Sequence, residues 1–175
     1  YVKSSYNSCC SGNFKNDYVS ICALENVLKQ GARFLDFEIY AKDDKPIIAA
    51  SSSTEFSYKE MYNHVEFEEA MKKIRDMAFT DVTPNHDDPL ILNFRIKTNN
   101  IQAHNLMAKD IYYSFGRNFL NGSYKFESQG NNLGEVYLKD LKRTILISVD
   151  RSNSTYKSTK LYSYVNIASG SSYLR

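Results

Sequence analysis

Cysteine is scarce in this sequence, and its three thiols fit no recognisable framework. Cys9 and Cys10 are adjacent, and Cys22 stands apart from them. An odd number with two immediate neighbours matches neither a disulfide scaffold nor the spacing of zinc ligands. Because free cysteine is usually a small buried side chain, we predict three reduced structural thiols and an intracellular, reducing compartment.

Long apolar runs and an excess of one charge are missing as well. No segment approaches the roughly 20 consecutive apolar residues of a membrane-spanning helix, and no secretory signal is visible at the start. The 22 Lys and Arg residues are scattered among 20 Asp and Glu residues, which gives a net charge of +2. We therefore expect no transmembrane segment and no nucleic-acid partner.

Strand and helix patterns alternate along the chain. Helical spacing of apolar residues predicts a first helix with Asp17 as its N-cap and Gly31 just past its end. Continuous apolar strands that alternate with helices favour a parallel sheet covered by helices. The predicted strands lie near residues 2–8, 34–40, 46–50, 90–96, 144–149 and 162–169, and the predicted helices near residues 18–28, 67–78 and 101–115.

This pattern predicts an α/β fold, and the (β/α)8 or TIM-barrel-like architecture is the leading candidate. A complete barrel of this kind usually needs about 250 residues. The chain has 175 residues and only five or six predicted strands. We therefore expect an incomplete barrel within this chain.

One predicted strand carries two acids among apolar residues. In the stretch "GARFLDFEIY", Asp36 and Glu38 are two residues apart, so an extended chain places both side chains on the same face. Burying two neighbouring carboxylates is costly unless a cation, a metal ion or a proton compensates them. The sequence thus raises the question of which cation lies beside them.

Six segments, in order, resemble the X region of phosphatidylinositol-specific phospholipase C. That region usually reads S-S-H-N-T-Y, then G-C-R-C-x-E-x-D, then P-x-x-x-H-G, then P-V-I-L-S-x-E and finally L-K-G-K-I-L-x-K. The resemblance assigns residues 1–150 to a barrel portion of this type, and residues 151–175 to a linker with a further strand of the same domain. The matching segments here are "SSYNSCCSGN", "GARFLDFEIY", "KPIIAAS", "FEEAMKKIRDMAF", "PLILNFRIK" and "LKRTILIS".

The resemblance implies a barrel with its site at the C-terminal ends of the strands, and a phosphodiesterase reaction. In the family one histidine acts as general base on the inositol 2-hydroxyl and a second protonates the leaving group. Calcium, held by an asparagine and three acids, activates the hydroxyl, and two lysines bind the ring phosphates.

Both catalytic histidine positions differ in this sequence. The first falls on Tyr6 and the second on Ala50. A tyrosine hydroxyl, with an ordinary pKa near ~10, is a poor base at neutral pH, and alanine cannot transfer a proton. His64, His86 and His104 lie outside the motif positions, and we interpret each as a surface or helix-face residue.

The positions that bind calcium in the family are changed as well. The asparagine is kept as Asn7, the acids of the first motif strand fall on Asp36 and Glu38, and the last acid falls on Arg95. A guanidinium would repel a divalent ion and removes one of its oxygen ligands. We therefore predict that Arg95 forms an internal salt bridge with the two acids and that calcium is lost. The alternative is that Arg95 substitutes electrostatically for calcium, as arginine does in calcium-independent bacterial relatives.

These changes lead to two functional interpretations. The first is a non-catalytic structural or binding protein that contacts protein partners through its tyrosines; binding of a phosphoinositide headgroup would be weak, because the two phosphate-binding lysines fall on Ser148 and Asp150. The second is an active phosphoric diester hydrolase that uses altered residues. Tryptophan is absent, and Tyr, Asn, Lys and Ile are frequent, a bias typical of AT-rich genomes. This bias suggests that the source is a large DNA virus or a protist. If the source is viral, we expect the protein in the virion.

Overall fold

The described residues form one mixed seven-stranded sheet with three α-helices. The structure is a computed structural model that describes residues 1–56, 59–116, 118, 124–126 and 132–169. In the sheet the strand order is β4-β3-β2-β5-β6-β7, and β1 also pairs with β2. The strands are β1 (Ser4–Ser5), β2 (Phe34–Lys42), β3 (Lys45–Ala49), β4 (Val65–Glu66), β5 (Leu90–Ile96), β6 (Ile145–Asp150) and β7 (Ile167–Ser169), and the helices are α1 (Ile21–Lys29), α2 (Phe67–Met77) and α3 (Ile101–Phe115).

The expectation of an all-parallel sheet is wrong at one side of it. Strand β3 runs antiparallel to both β2 and β4, whereas the pairings β1–β2, β2–β5, β5–β6 and β6–β7 are parallel. The reason is the short connection between β2 and β3. Only Asp43 and Asp44 separate the two strands, both with positive φ (49° and 62°), and a two-residue turn of this kind joins antiparallel strands.

Helix α1 begins later than the sequence pattern indicates. Its N-cap is Ser20, whose hydroxyl accepts a hydrogen bond from the backbone N–H of Ala23. Asp17 instead accepts from the backbone N–H groups of Asn13 and Tyr18 and so shapes the preceding loop. The predicted end is confirmed, because Gly31 has a φ of 80°, a conformation that glycine adopts without steric cost.

The sheet has one apolar and one polar face, which follow from the alternation of side chains along each strand. Phe37 and Phe94 are adjacent on the apolar face, and Phe67 at the start of α2 packs edge-on against Phe94 with ring centroids 5.4 Å apart. All three rings are completely buried. Burial of this kind contributes roughly 2 kcal/mol or more per large side chain, so the contact between this face and the helices is the main core.

The start of β2 is tied to the loop before β5 by a buried arginine. The guanidinium of Arg33 donates to the carbonyl oxygens of Ala78, Asp88 and Pro89 at 2.8, 2.6 and 3.3 Å. Burial lowers the pKa of Arg33 to about 10. These bonds fix the beginning of the two strands that carry the polar face.

The helices in the described part of the chain are too short or too polar to cross a membrane.

Candidate functional site

The polar face of the sheet brings together residues that are far apart in the sequence. Strands β2 and β5 are parallel and in a register that places Asp36 beside Asn93 and Glu38 beside Arg95. Register partners in neighbouring strands project from the same face. The polar side chains therefore form two adjacent rows in the middle of the sheet.

Arg95 lies at the centre of these rows and contacts both acids. Its Nε donates to the two carboxylate oxygens of Asp36 at 3.1 and 3.2 Å, and its Nη2 donates to Oδ2 of Asp36 at 2.7 Å. Its Nη1 donates to Oε1 of Glu38. The predicted ion pair is thus confirmed. We call Arg95, Asp36, Glu38 and Asn7 the Arg95 cluster.

Asn7 completes the cluster from the loop that follows β1. Its Oδ1 accepts a hydrogen bond from Nη2 of Arg95 at 2.7 Å, and its backbone N–H donates to Asp36 at 3.2 Å. Asn7 has a φ of 46°, a left-handed conformation that asparagine tolerates better than most residues. The loop therefore folds over the ion pair and leaves the Asn7 side chain buried.

The electrostatics of the cluster keep the arginine charged. Burial alone would lower the pKa of Arg95, but its hydrogen bonds to Asp36 and the charges of Asp36 and Glu38 outweigh that effect and raise its pKa. The Arg95 side chain is only 16% exposed and the two carboxylates 7% and 4%. A buried pair of this kind is held by geometry and by mutual compensation of charge.

Three further residues donate hydrogen bonds to the acids, and the resemblance to the family predicts none of them. The amide of Asn93 donates to Oδ1 of Asp36 at 2.8 Å. The hydroxyl of Tyr40 and the backbone N–H of Ser51 both donate to Oε2 of Glu38 at 2.9 Å. Burial, followed by the charge of Glu38, raises the pKa of Tyr40. Asn93 and Tyr40 were detectable from the two-residue period of their strands, whereas Ser51 acts through its backbone and leaves no signal.

The residue at the first catalytic position packs against the cluster. The Tyr6 ring lies over the Arg95 guanidinium, with 4.4 Å between the guanidinium carbon and the ring centroid, a cation–π contact. The Phe14 ring packs edge-on against the Tyr6 ring, with 5.3 Å between the ring centroids. Tyr6 is still 58% exposed, so it covers the arginine from the solvent side.

Ala50, Ser148 and Asp150, at the second catalytic position and the two phosphate-binding positions of the family, are not among the residues that contact Arg95. Ala50 is completely buried and its carbonyl accepts from the backbone N–H of Glu60. Ser148 is in register with Asn93, which places it on the same face as Asp36 but two strands away, about 10 Å. Asp150 accepts from the backbone N–H of Ser152 at 2.8 Å, so its carboxylate shapes a turn.

The three histidines contact residues outside the Arg95 cluster. His64 and His86 are half-buried and face Glu66 and Asp87 at 3.4 and 3.8 Å. His104 is not at the surface, because it lies on the inner side of α3, fully buried, with its Nε2 2.9 Å from the carbonyl oxygen of Thr98. All three cysteines are free thiols, but only Cys9 is buried as the prediction of structural thiols expects, whereas Cys10 is half-buried and Cys22 is exposed.

The residues of the Arg95 cluster do not fit a calcium ion. Asn7, Asp36 and Glu38 offer the oxygen atoms that calcium prefers, but each of them accepts a hydrogen bond from the guanidinium. A calcium ion would have to displace a guanidinium that donates hydrogen bonds to four oxygen atoms, two of Asp36 and one each of Glu38 and Asn7. In the described ranges, no group of three or more His, Cys, Asp and Glu side chains is arranged to hold a metal.

A model of the family "Phosphatidylinositol-specific phospholipase C, X domain" matches residues 1–151. The chain belongs to this family. The family and the TIM-barrel-like fold expected from the sequence are therefore confirmed.

Solved phospholipase C structures share the fold of this X domain. S. officinalis PLC21 is 20% identical, with a TM-score of 0.69 over 95% of this chain and 23% of that one. L. pealei PLC21 is 22% identical, with a TM-score of 0.65 over 88% and 18%. A calcium-dependent phosphoinositol-specific phospholipase C from a Pseudomonas species is 14% identical, with a TM-score of 0.61 over 95% and 63%. The chain thus spans less than two thirds of each of these proteins. A search of curated proteins finds no match.

Proposed function

We propose that this X domain is catalytically degenerate and serves as a structural or binding protein. The observation that carries the proposal is the contact of Arg95 with both Asp36 and Glu38. In the family these positions belong to calcium ligands. Here a fixed internal cation compensates the acids, and the ion that would activate a substrate hydroxyl has no place.

The loss of proton-transfer groups supports the same proposal. The two catalytic histidine positions hold Tyr6, whose ring packs on Arg95, and the buried Ala50. General acid–base catalysis raises a reaction rate roughly 10²- to 10⁴-fold per catalytic group. Without either group, most of the family's rate acceleration is lost, even if a substrate binds.

We expect the binding partners to be proteins, which would contact the exposed tyrosines of α3. Tyr112 and Tyr113 are 54% and 71% exposed and contact one another on α3, and tyrosine is enriched in protein interfaces. Binding of a phosphoinositide headgroup is weak in this proposal, because Ser148 and Asp150 replace two cations. The three free thiols suit a reducing compartment, while a viral source and a place in the virion rest on composition alone.

The test is an assay for release of inositol phosphates from phosphatidylinositol and its phosphorylated forms, with calcium and with a chelator. We expect no turnover above the protein-free background in either condition. An active bacterial phospholipase C measured in parallel shows that the substrate is accessible. Turnover at an enzyme-like rate would contradict the proposal and establish the alternative, an active phosphoric diester hydrolase with altered residues.

A double variant separates the effect of the missing histidines from the effect of Arg95 in the site. The double variant Y6H/A50H restores both histidines but keeps Arg95, and we expect it to remain inactive because the guanidinium still occupies the site. Restoration of turnover by the histidines alone would show that Arg95 serves as a catalytic cation, the role expected of arginine in calcium-independent relatives.

A further inference from the structure

A second buried carboxylate, outside the Arg95 cluster, lies in a ring of hydrogen-bond donors. The loop after β3 carries three consecutive serines, and the Glu60 side chain, 8% exposed, points into it. The donors are Ser51 Oγ at 3.0 Å, Ser52 N at 2.7 Å, Ser52 Oγ at 2.5 Å and Ser53 N at 3.1 Å, all directed at Oε2 of Glu60. We call the hydroxyl and backbone donors of Ser51, Ser52 and Ser53 the serine cradle.

A cation completes this ring of donors from a different loop. The ammonium group of Lys15 lies 3.1 Å from Oε1 of Glu60. The hydrogen bonds from Ser52, together with those from Lys15 and Ser51, lower the pKa of Glu60 to about 2 despite its burial. Glu60 is therefore an anion at every physiological pH, enclosed by groups that all favour negative charge.

The number of donors exceeds what one carboxylate oxygen can accept well. A carboxylate oxygen has two lone pairs, yet four donors lie within hydrogen-bond distance of Oε2, one of which, the Ser53 N–H, is shared with Ser51 Oγ at 3.0 Å. Two consecutive backbone N–H groups combined with hydroxyls and a lysine are the donor set that binds phosphate groups in proteins. A terminal phosphate, with three peripheral oxygens, could share these five donors with better geometry.

We propose that the serine cradle and Lys15 form a binding site for a phosphate group, which the protein fills with its own Glu60. The site is separate from the Arg95 cluster, although the backbone N–H of Ser51 donates to Glu38 and links the two. Because Glu60 is part of the same chain, its effective concentration is high and an external phosphate competes poorly. The bound carboxylate also holds together the two loops that carry Lys15 and the serines.

The experiment removes the internal anion and offers an external one. In the variant E60A, inorganic phosphate should bind with an affinity at least roughly tenfold higher than in the unchanged protein, since charge-assisted bonds to the cradle become available. Binding is followed by the phosphate-dependent rise in melting temperature at constant ionic strength and by ³¹P line broadening. The control E55A removes an exposed carboxylate from the same loop and should leave phosphate binding unchanged.

Further variants locate the bound phosphate and identify its source. The double variant E60A/S52A removes one hydroxyl donor and should weaken phosphate binding again. Vesicles of phosphatidylcholine with phosphatidic acid, compared with phosphatidylcholine alone, show whether a phosphate group on a lipid surface is also accepted. Binding of inorganic phosphate by E60A supports the site with either vesicle result, whereas binding of vesicles without inorganic phosphate contradicts it.

A folded E60A that binds phosphate no better than the unchanged protein would overturn the proposal. If E60A does not unfold cooperatively, E60S decides by the same criterion, because its short polar side chain also removes the carboxylate from the cradle. The inositol phosphate assay does not enter this test, so failure of the cradle and failure of the proposed function are distinguishable.

Discussion

At the scale of single residues, Arg95 supplies the positive charge that allows two acids to be buried on the polar face of the sheet. Two carboxylates that are almost fully buried stand next to each other on β2, and their compensating charge comes from the neighbouring strand. The two-residue spacing of Asp36 and Glu38 and the resemblance at position 95 were enough to predict this ion pair. Asn93, which also binds Asp36, could have been predicted from the same alternation, since it lies two residues before Arg95.

Replacement of Arg95 should therefore be strongly destabilising. In R95M the two acids remain buried without a cation, and breaking a buried pair in this way costs about 3 to 5 kcal/mol. Urea unfolding measures the loss. The matched control R75M removes an exposed arginine paired with Asp76 and should change the free energy of unfolding by less than about 1 kcal/mol.

Neutralising the acids should restore part of that stability. The triple variant R95M/D36N/E38Q buries no net charge, and we expect it to be more stable than R95M. Equal stability of R95M and the unchanged protein would show that the acids do not depend on this guanidinium.

Asp110 on α3 is a second residue whose charge should affect the stability of the fold. Burial, followed by the charge of Glu68, raises its pKa to about 6, against the partial compensation of Lys109 and Lys72. The folded protein thus binds more protons than the unfolded chain between about pH 4 and 6. The stabilisation from protonated Asp110 is present below this window and is lost as the pH rises through 6.

The variant D110N should consequently be more stable than the unchanged protein at pH 7, by on the order of 1 kcal/mol after solvent screening. Near pH 4 the difference should disappear, because the carboxyl is then protonated in the folded state. Thermal unfolding of the two proteins at several pH values measures the difference in stability at pH 7 and its loss near pH 4. A pH-independent difference would be inconsistent with titration of Asp110, and D81N, at a fully exposed carboxylate, is the control.

At the scale of elements, the residues of one turn set the direction of β3 and a capping residue sets the start of α1, two features that apolar patterns alone do not predict. The spans of α2, β5 and α3 follow from apolar periodicity and agree with the sequence-based prediction within a residue. The direction of β3 does not follow from its apolar run, because apolar strands of either direction look alike. It follows from Asp43 and Asp44. Similarly, Ser20 rather than Asp17 starts α1, since Asp17 is engaged by Asn13.

The hairpin between β2 and β3 offers an element-scale prediction. Asp43 has a φ of 49°, so D43G relieves steric strain and should raise the free energy of unfolding by about 0.5 kcal/mol. D44G is the comparison: Asp44 also has a positive φ but accepts a hydrogen bond from Asn100 at 2.7 Å. We expect D44G to be less favourable than D43G, and the reverse order in urea unfolding would contradict this interpretation.

At the scale of the whole molecule, the two faces of the sheet have different roles. The apolar face is covered by helices and supplies the core, whereas the polar face carries Asp36, Glu38, Asn93 and Arg95. Strand β5 shows the difference directly, because its residues alternate between full and partial burial. The family was predictable from motif order, but the contacts that the loops after β1 and β3 make with the acids were not, since a loop's path depends on the whole fold.

In our proposal the Arg95 guanidinium takes the place of the divalent cation that the resemblance to the family implies. The most direct measurement is a calcium titration of the unchanged protein and of R95E, followed by melting temperature and calorimetry up to about 1 mM free calcium, the weak end of protein calcium sites. We expect no calcium-dependent stabilisation of the unchanged protein. We expect R95E to be unstable without calcium and stabilised by it, because three acids and Asn7 then surround the site. Stoichiometric calcium binding by the unchanged protein, abolished by D36N, would contradict the claim.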